Sequence, residues 1–363
     1  MAALCLALHA RYQCRHTGAC CQHWTVPAEP HVVDIVESRK LRRPGFAGSL
    51  FLQASDGRVA VARDEHDECA FFDRAGGRLC VIHRDAGPDA LPAACRHFPR
   101  KILRDRRGVL ISLSHYCPTA ASLLTGAGDL TVVDAGPPLE LAAPIEGLEA
   151  ADALPPLLRP GLLCDMEGYA AWEACGVATF ARDDLTFREC VDVIAAATEE
   201  IRGWRPGTAS LATLVASAFR AADQRLGRDD GADTRAIDTA RVLSAGRAGR
   251  LDPIDRFEQV WQAQVGDQGS AFDRVMKNYL AARLFANWIA YQGRGLRTIV
   301  EWLRTCAAVV LHSMAERTTH GGSTSEDHPG VEAVRAADLL LLHVIDSAAF
   351  AKHVASMEGA GPR

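Results

Sequence analysis

Cysteine placement is what most restricts how this chain can fold. The sequence has 363 residues and twelve cysteines, and eight of these precede residue 120: Cys5, Cys14, Cys20, Cys21, Cys69, Cys80, Cys95 and Cys117. The other four, Cys164, Cys175, Cys190 and Cys306, are spread over the remaining two thirds. In "YQCRHTGACCQHW", residues 12–24, three thiols fall within eight positions and two are adjacent. A chain of this length buries enough apolar surface to fold without covalent staples. The opening "MAALCLALHARYQC" lacks the charged start of a secretory signal, so a cytoplasmic, reducing setting is expected. Adjacent cysteines also sit too close together for a relaxed disulfide. The residues alone then leave two readings: a thiolate metal or cluster site, or buried inert thiols.

The spacing narrows the metal reading. Zinc ribbons use C-x2-C pairs and bacterial ferredoxins use C-x2-C-x2-C, and neither occurs here. The radical C-x3-C-x2-C pattern is missing too. The ligands must therefore converge from separate loops: Cys14, Cys20 and Cys21, then Cys69 and Cys80, then Cys95 and Cys117. In "ACRHFPRKILRDRR", Arg96, Arg100, Lys101, Arg104, Arg106 and Arg107 surround one aspartate. Positive charge lowers thiol pKa and offsets a multi-thiolate site. The bland counterpart is a solvated basic strand edge, which serves equally well for the last three arginines. His16, His23, His83, His97 and His115 also stand beside cysteines, and such histidines are commonly surface or hydrogen-bonded residues.

Composition sets outer bounds. Hydrophobic residues make up 48% and charged residues 23%, as in ordinary globular chains. A net charge of −5 argues against a dedicated nucleic-acid binder, which carries a basic excess. No apolar run approaches the roughly 18 residues of a membrane span, and no membrane partner is expected.

The local pattern predicts an α+β chain. A small cysteine-rich, metal-organised domain with short strands spans residues 1–125. A Pro/Gly/Ala-rich linker or arm with little regular structure covers 126–165, and a mainly α-helical bundle covers 166–363. "SLFLQASDGRVAVARD" reads as two strands about an Asp56-Gly57 turn, with further strands in "GGRLCVIH" and "RRGVLISLSH". "PHVVDIVESRKL" reads as a helix. The later helices are "LTFRECVDVIAAATEEIRGW", "GTASLATLVASAFRAADQRL", "IDRFEQVWQAQV", "SAFDRVMKNYLAARLFANWIAYQG", "GLRTIVEWLRTCAAVVLHSMAER" and "VEAVRAADLLLLHVIDSAAFAKHV". The four later cysteines read as small buried hydrophobes.

"YQCRHTGACCQHW", "CAFFDRAGGRLCVIH", "CRHFPR" and "LSHYCPTAASLL" occur in that order, with "KNYLAARLFANW" further on. Together they resemble the flagellin lysine-N-methylase family, and more broadly the YkgJ-type cysteine-cluster proteins that chelate zinc or iron. The resemblance is strong over residues 12–125 and weak over the helical half. It implies a cysteine-bound centre, a 4Fe–4S iron–sulfur cluster with zinc as the alternative. It also implies S-adenosyl-L-methionine as donor for lysine N-methylation of a protein substrate, flagellin or another. Carried over by position, the metal ligands are Cys14, Cys20, Cys21, Cys69, Cys80, Cys95 and Cys117. Seven thiols exceed the four that one cubane needs. Relatives often carry another cysteine before the adjacent pair, where this chain has "RHTGA" with His16, so the ligand set stays open.

Methyl transfer leaves little trace in the residues. A nucleotide-fold methyltransferase carries a glycine-rich loop after its first strand, whereas "TGAGD" (125–129) and "QGRGL" (292–296) read as turns. A carboxylate or tyrosine is suited to removing the acceptor's proton. Glu68, Asp73, Tyr116 and Tyr279 lie near the matched motifs without singling one out. The counterpart to an enzyme is a non-enzymatic zinc- or iron–sulfur-binding module that docks a partner protein.

Overall fold

The alternating apolar residues of "KILRD" and "GVLISL" build the centre of the molecule. Arg100–Asp105 and Gly108–Leu113 form an antiparallel hairpin that sets Ile102 against Ile111 and Leu103 against Leu110. Ala3–Leu6 lies parallel to Gly108–Leu113, and Val132–Asp134 pairs antiparallel outside it. Leu148–Glu149 lies parallel to the other side of Arg100–Asp105 and closes a five-stranded mixed sheet. This computed structural model describes residues 3–18, 21–53, 57–126, 130–136, 147–225, 234–245, 251–254, 269–319 and 328–358. With 53% of residues helical and 14% in strands, the chain is of mixed α and β type, as expected.

Several predicted elements lie where the pattern put them. Phe51–Gln53 pairs with Val59–Val61 across the expected turn, whose Asp56 lies outside the described residues. Pro30–Ser38 is helical, with proline at a helix start where its missing N–H costs nothing. Phe187–Ile201 begins with a reciprocal capping box, Thr186 to the Glu189 backbone and Glu189 back to Thr186. Leu211–Gln224 and Leu296–Thr319 follow their apolar periodicity. "IDRFEQVWQAQV" falls outside the described residues.

Other elements differ, each for a local reason. "GGRLCVIH" holds only the two-residue strand Leu79–Cys80 before it turns into the helix Val81–Ala86. The Pro/Gly/Ala-rich stretch carries more pairing than its composition predicts. It supplies both outer strands of the sheet and a small hairpin, Leu157–Arg159 with Leu162–Leu163. Gly147 permits one of these approaches, since a Cβ there would sit 2.4 Å from the Ile102 carbonyl oxygen. The helix expected over "SAFDRVMKNYLAARLFANWIAYQG" stops at Leu284 and resumes at Ile289–Gln292. Asn287 makes the break: its amide donates to the Arg283 carbonyl at 2.9 Å and its oxygen accepts the Ile289 N–H at 2.8 Å. The last predicted helix is two, Pro329–His343 and Ser347–Glu358. There Asp346 accepts the Ala348 N–H at 2.8 Å and caps the second one. Met166–Phe180 is a further helix, and Asp165 caps it by accepting the Gly168 N–H. It is buried along most of its length, so no clean polar face marks it in the sequence.

The helices pack on the sheet through one large core that runs from Leu6, Leu103 and Leu110 to Trp172, Tyr279 and Phe350. Two polar knots pin it. At the hairpin turn, Arg107 pairs with Asp105 and Glu173, each at 2.7 Å, and Tyr291 donates to Asp105 at 2.9 Å. Arg107 is therefore part of a buried network, whereas Arg106 is exposed and Arg104 half-buried beside Glu149 at 3.5 Å.

The second knot centres on Asp338, which is fully buried. Its carboxylate accepts the Tyr279 hydroxyl at 2.7 Å and the His115 backbone N–H at 2.5 Å, with the Arg283 guanidinium 3.8 Å away. Arg283 also donates to the Leu113 carbonyl. Burial opposes ionisation of Asp338, but Arg283 and the His115 and Tyr279 hydrogen bonds outweigh it and hold the carboxyl well below the usual range. Burial pushes the His115 imidazole the other way, toward its neutral form. No helix among the described residues is long and apolar enough to cross a membrane.

Asp338→Asn should destabilise the fold by about 3–5 kcal/mol in urea unfolding, because Arg283 is left buried without its counter-charge. A loss below about 1 kcal/mol would mean that the knot is dispensable. The depressed carboxyl pKa gives stability that is fully present above about pH 4 and lost as pH falls further, toward the folded-state pKa. Wild type should show this acid-side loss, and Asp338→Asn should show less of it.

Candidate functional site

Segments of several matched motifs meet in one small apolar cluster. Cys21 and Cys69 are buried in a small apolar cluster with Val26, Val32, Phe71, Phe72, Val81 and Ile82, and Cys80 and Cys95 pack on it half-buried. Short-range pairing brings these segments together. The Cys69 N–H donates to the Cys21 carbonyl at 2.8 Å, Phe72 faces Cys80 across a two-residue ladder, and Gln22 bridges to Glu68. Gly18 lies against this cluster. It has φ +80°, and a Cβ there would come within 2.5 Å of the Phe72 ring. Ion pairs clamp the rim: Arg43–Asp64 at 2.8 Å, Arg84–Asp73 at 2.8 Å, and Arg74 with Glu68.

The seven expected ligands fall into two groups. Cys21, Cys69, Cys80 and Cys95 share the cluster just described. Cys117 belongs to a different apolar group with Tyr12, whose hydroxyl lies 3.9 Å from its sulfur, and exposed Cys14 borders Tyr12. Burial pushes the Cys117 thiol up. Cys20 lies outside the described residues. Among the described residues, no three His, Cys, Asp or Glu side chains are arranged to hold a metal ion. The fit is therefore one of donor chemistry: four soft donors in one small apolar cluster, beside a loop whose fifth thiol is not described.

Histidines and acids near the motifs have other duties. His16 faces His83, with ring centroids 6.5 Å apart, and exposed His23 pairs with Asp67 at 3.0 Å. His97 is buried, and His115 bonds His9 at 3.2 Å inside the Asp338 knot. Glu68 and Asp73 are committed to their arginines. Tyr116 donates to the Gln22 carbonyl at 3.2 Å, and Tyr279 serves Asp338. Of the later cysteines, Cys164, Cys190 and Cys306 are buried, as expected, and half-buried Cys175 packs on the main core. "QGRGL" is a turn between two helices, and in "TGAGD" residues 127–129 are outside the described residues.

The cluster borders a cavity of about 700 Å³. The helix Ala93–His97, which carries Cys95, forms one side of it. Trp24, Phe98, Trp288 and Trp302 give it aromatic walls, and Arg100, Lys101, Ser114, Asn287 and His343 supply polar groups. Trp24 stacks on Phe98 at 5.8 Å and tilts against His343 at 5.1 Å. His343 Nε2 is 3.1 Å from Ser114 Oγ. Burial, aided by nearby Lys101 and Arg283 and opposed by Asp338, brings the His343 pKa down to about 4. Lys101 stands opposite Ser112 on the hairpin, so both side chains leave the same face of the sheet, toward the helices. Its ammonium lies 5.0 Å from the Trp288 ring centre. Trp24, Ser114 and Trp288 fall within the quoted motifs and Trp302 and His343 outside them, but nothing in the sequence marks any of them as a cavity wall, because they meet only through long-range packing. Lys101 has a faint one: it is the single lysine in a run of arginines, and only lysine can give up its proton.

No protein-family model, no curated protein and no solved structure matches this chain.

Thiol reactivity should follow this geometry. In metal-free native protein at mildly alkaline pH, iodoacetamide should modify exposed Cys14 quickly. Cys5, with its pKa raised to about 11, and Cys190, raised to about 12, should react only after unfolding. Peptide mapping that finds Cys190 alkylated as fast as Cys14 would contradict the burial pattern.

Proposed function

We propose that this chain is a cysteine-cluster metalloprotein that transfers a methyl group from S-adenosyl-L-methionine to lysines of a protein substrate, flagellin or another. The observation that carries the reading is the gathering of Cys21, Cys69, Cys80 and Cys95 beside an aromatic cavity. In this reading Cys20 joins those four as a ligand donor, and a 4Fe–4S cluster, or zinc as the alternative, ties the loops of residues 1–125 together. Residues 126–165 act as an arm along the sheet, and 166–363 form the helical part. Cys14 and Cys117 lie beside Tyr12 and are not members of this cluster.

Bound in the cavity, S-adenosyl-L-methionine supplies an electrophilic methyl group. The chain's own part is to bind and align. Aromatic faces such as Trp24, Phe98 and Trp288 suit a flat adenine and a cationic sulfonium. The cavity walls would hold the acceptor amine in line with the methyl carbon. The acceptor reaches this point as an ammonium, and a basic group of the cavity must take its proton. The protein is read as cytoplasmic, with a protein as its macromolecular partner and no nucleic acid expected from its net charge of −5. The alternative, a metal-binding module that only docks a partner, needs no cavity of this size.

Labelled S-adenosyl-L-methionine and flagellin, incubated with anaerobically prepared protein, test the reading. Label should appear on flagellin lysines and fall at least about tenfold in Cys69→Ser and in Trp24→Ala. Metal-loaded protein that transfers no label to flagellin or to a lysate of flagellated cells would favour the docking module.

A further inference from the structure

We propose that the aromatic cavity is a binding site for carbonyl compounds with a flat apolar body, and that Lys101 captures them covalently as an imine. This holds whether or not the chain transfers methyl groups.

The geometry is that of an amine held in an apolar pocket. Lys101 projects from the inner face of the hairpin into a cavity walled by Trp24, Phe98, Trp288 and Trp302. Its nitrogen rests 5.0 Å from the Trp288 ring centre. Among the described residues no carboxylate forms an ion pair with it. The three other lysines of the chain differ: Lys40 and Lys352 are exposed, and Lys277 pairs with Asp273 at 3.0 Å. Apart from His97, every neighbouring basic residue in the "CRHFPRKILRDRR" run is arginine, which stays charged and cannot act as a nucleophile.

The charged groups around Lys101 come from three helices. Arg283 disfavours its proton, whereas Asp338 and Cys306 favour it, and His343 on the cavity wall is influenced by Lys101 in turn. Burial is the largest influence and acts with Arg283, so the ammonium pKa falls to about 7. Near neutral pH about half of the amine then carries a free lone pair, against about one part in a thousand for an ordinary lysine.

The chemistry balances without any oxidant or reductant. The Nζ lone pair attacks the carbonyl carbon, and the C=O π pair moves to oxygen, which takes a proton as nitrogen loses one. The resulting carbinolamine expels its hydroxyl as water while nitrogen forms the C=N bond. The Ser114–His343 pair, 3.1 Å apart on the same cavity, is placed to pass that proton. Aromatic walls select a flat apolar body over a small hydrated aldehyde.

The full native chain, incubated with 2-naphthaldehyde and cyanoborohydride from about pH 6 to 9, tests this. Trapped adducts are located by chymotryptic peptide mapping. The expected result is one dominant adduct on Lys101. At about pH 7 it should form about tenfold or more faster than adducts on Lys40 and Lys352. Its rate should rise with pH through about 7 and then level, since the neutral amine attacks and the pKa is lowered. Lys101→Arg should abolish the dominant adduct while the exposed lysines keep their slow rate. Trp288→Leu should raise the aldehyde concentration needed for half-maximal rate severalfold. The proposal is overturned if Lys101 in wild type labels no faster than Lys40 and Lys352, or if its rate keeps climbing beyond about pH 9 as for an ordinary lysine. If Lys101→Arg fails to fold by circular dichroism, the wild-type site map and pH profile decide alone.

Discussion

The buried carboxylate of Asp338 is the constraint on which the rest of the arrangement depends. A charge in that position is tolerable only when Arg283, Tyr279 and the His115 backbone all converge on it. Those partners come from the helix Gly269–Leu284 and from the turn that leaves the strand Gly108–Leu113. Satisfying one carboxylate therefore fixes two helices against the sheet. His343 lies at the end of the same helix as Asp338, and Ser114 directly precedes His115. The knot thus also sets the far wall of the cavity and leaves the field in which Lys101 and His343 titrate.

Around that anchor the molecule divides its polar work. The Arg107–Asp105–Glu173 knot holds the other end of the hairpin to the helix Met166–Phe180. The partly buried ion pairs at Arg43, Arg74 and Arg84 hold the loops that carry the thiols. The thiols sit in the least regular part of the chain, where strands are two or three residues long. Such a segment has few ladder hydrogen bonds of its own, so a metal held across its loops would add the cross-links that its secondary structure lacks.

Local signals in the sequence were reliable where a single segment contains its own instructions. The Thr186–Glu189 capping box, the proline that starts Pro30–Ser38 and the paired strands Phe51–Gln53 and Val59–Val61 are of this kind. The two interrupted helices were not legible as interruptions, although Asn287 and Asp346, which cause them, stand in plain view. Apolar periodicity continues through both breaks and hides them. The strands Val132–Asp134 and Leu148–Glu149 escaped notice because the open sides of a sheet recruit backbone, whatever its composition. The cysteine segment was legible as a set of donors, but its division between the Cys69 cluster and the Tyr12 group was not. Only the register of distant strands decides which loops face each other, and the same holds for the aromatic walls around Lys101.

Metal binding by the thiols is the central claim of the proposed function. Anaerobic purification followed by iron, acid-labile sulfide and zinc analysis, with a visible absorption spectrum, addresses that most directly. The predicted result is bound iron with matching sulfide and broad visible absorption, lost in Cys69→Ser and Cys80→Ser and kept in Cys190→Ser. Zinc without sulfide, lost in the same two variants, would replace the cluster with a zinc site. Protein that carries no metal, or a metal content unchanged in both variants, would contradict the account.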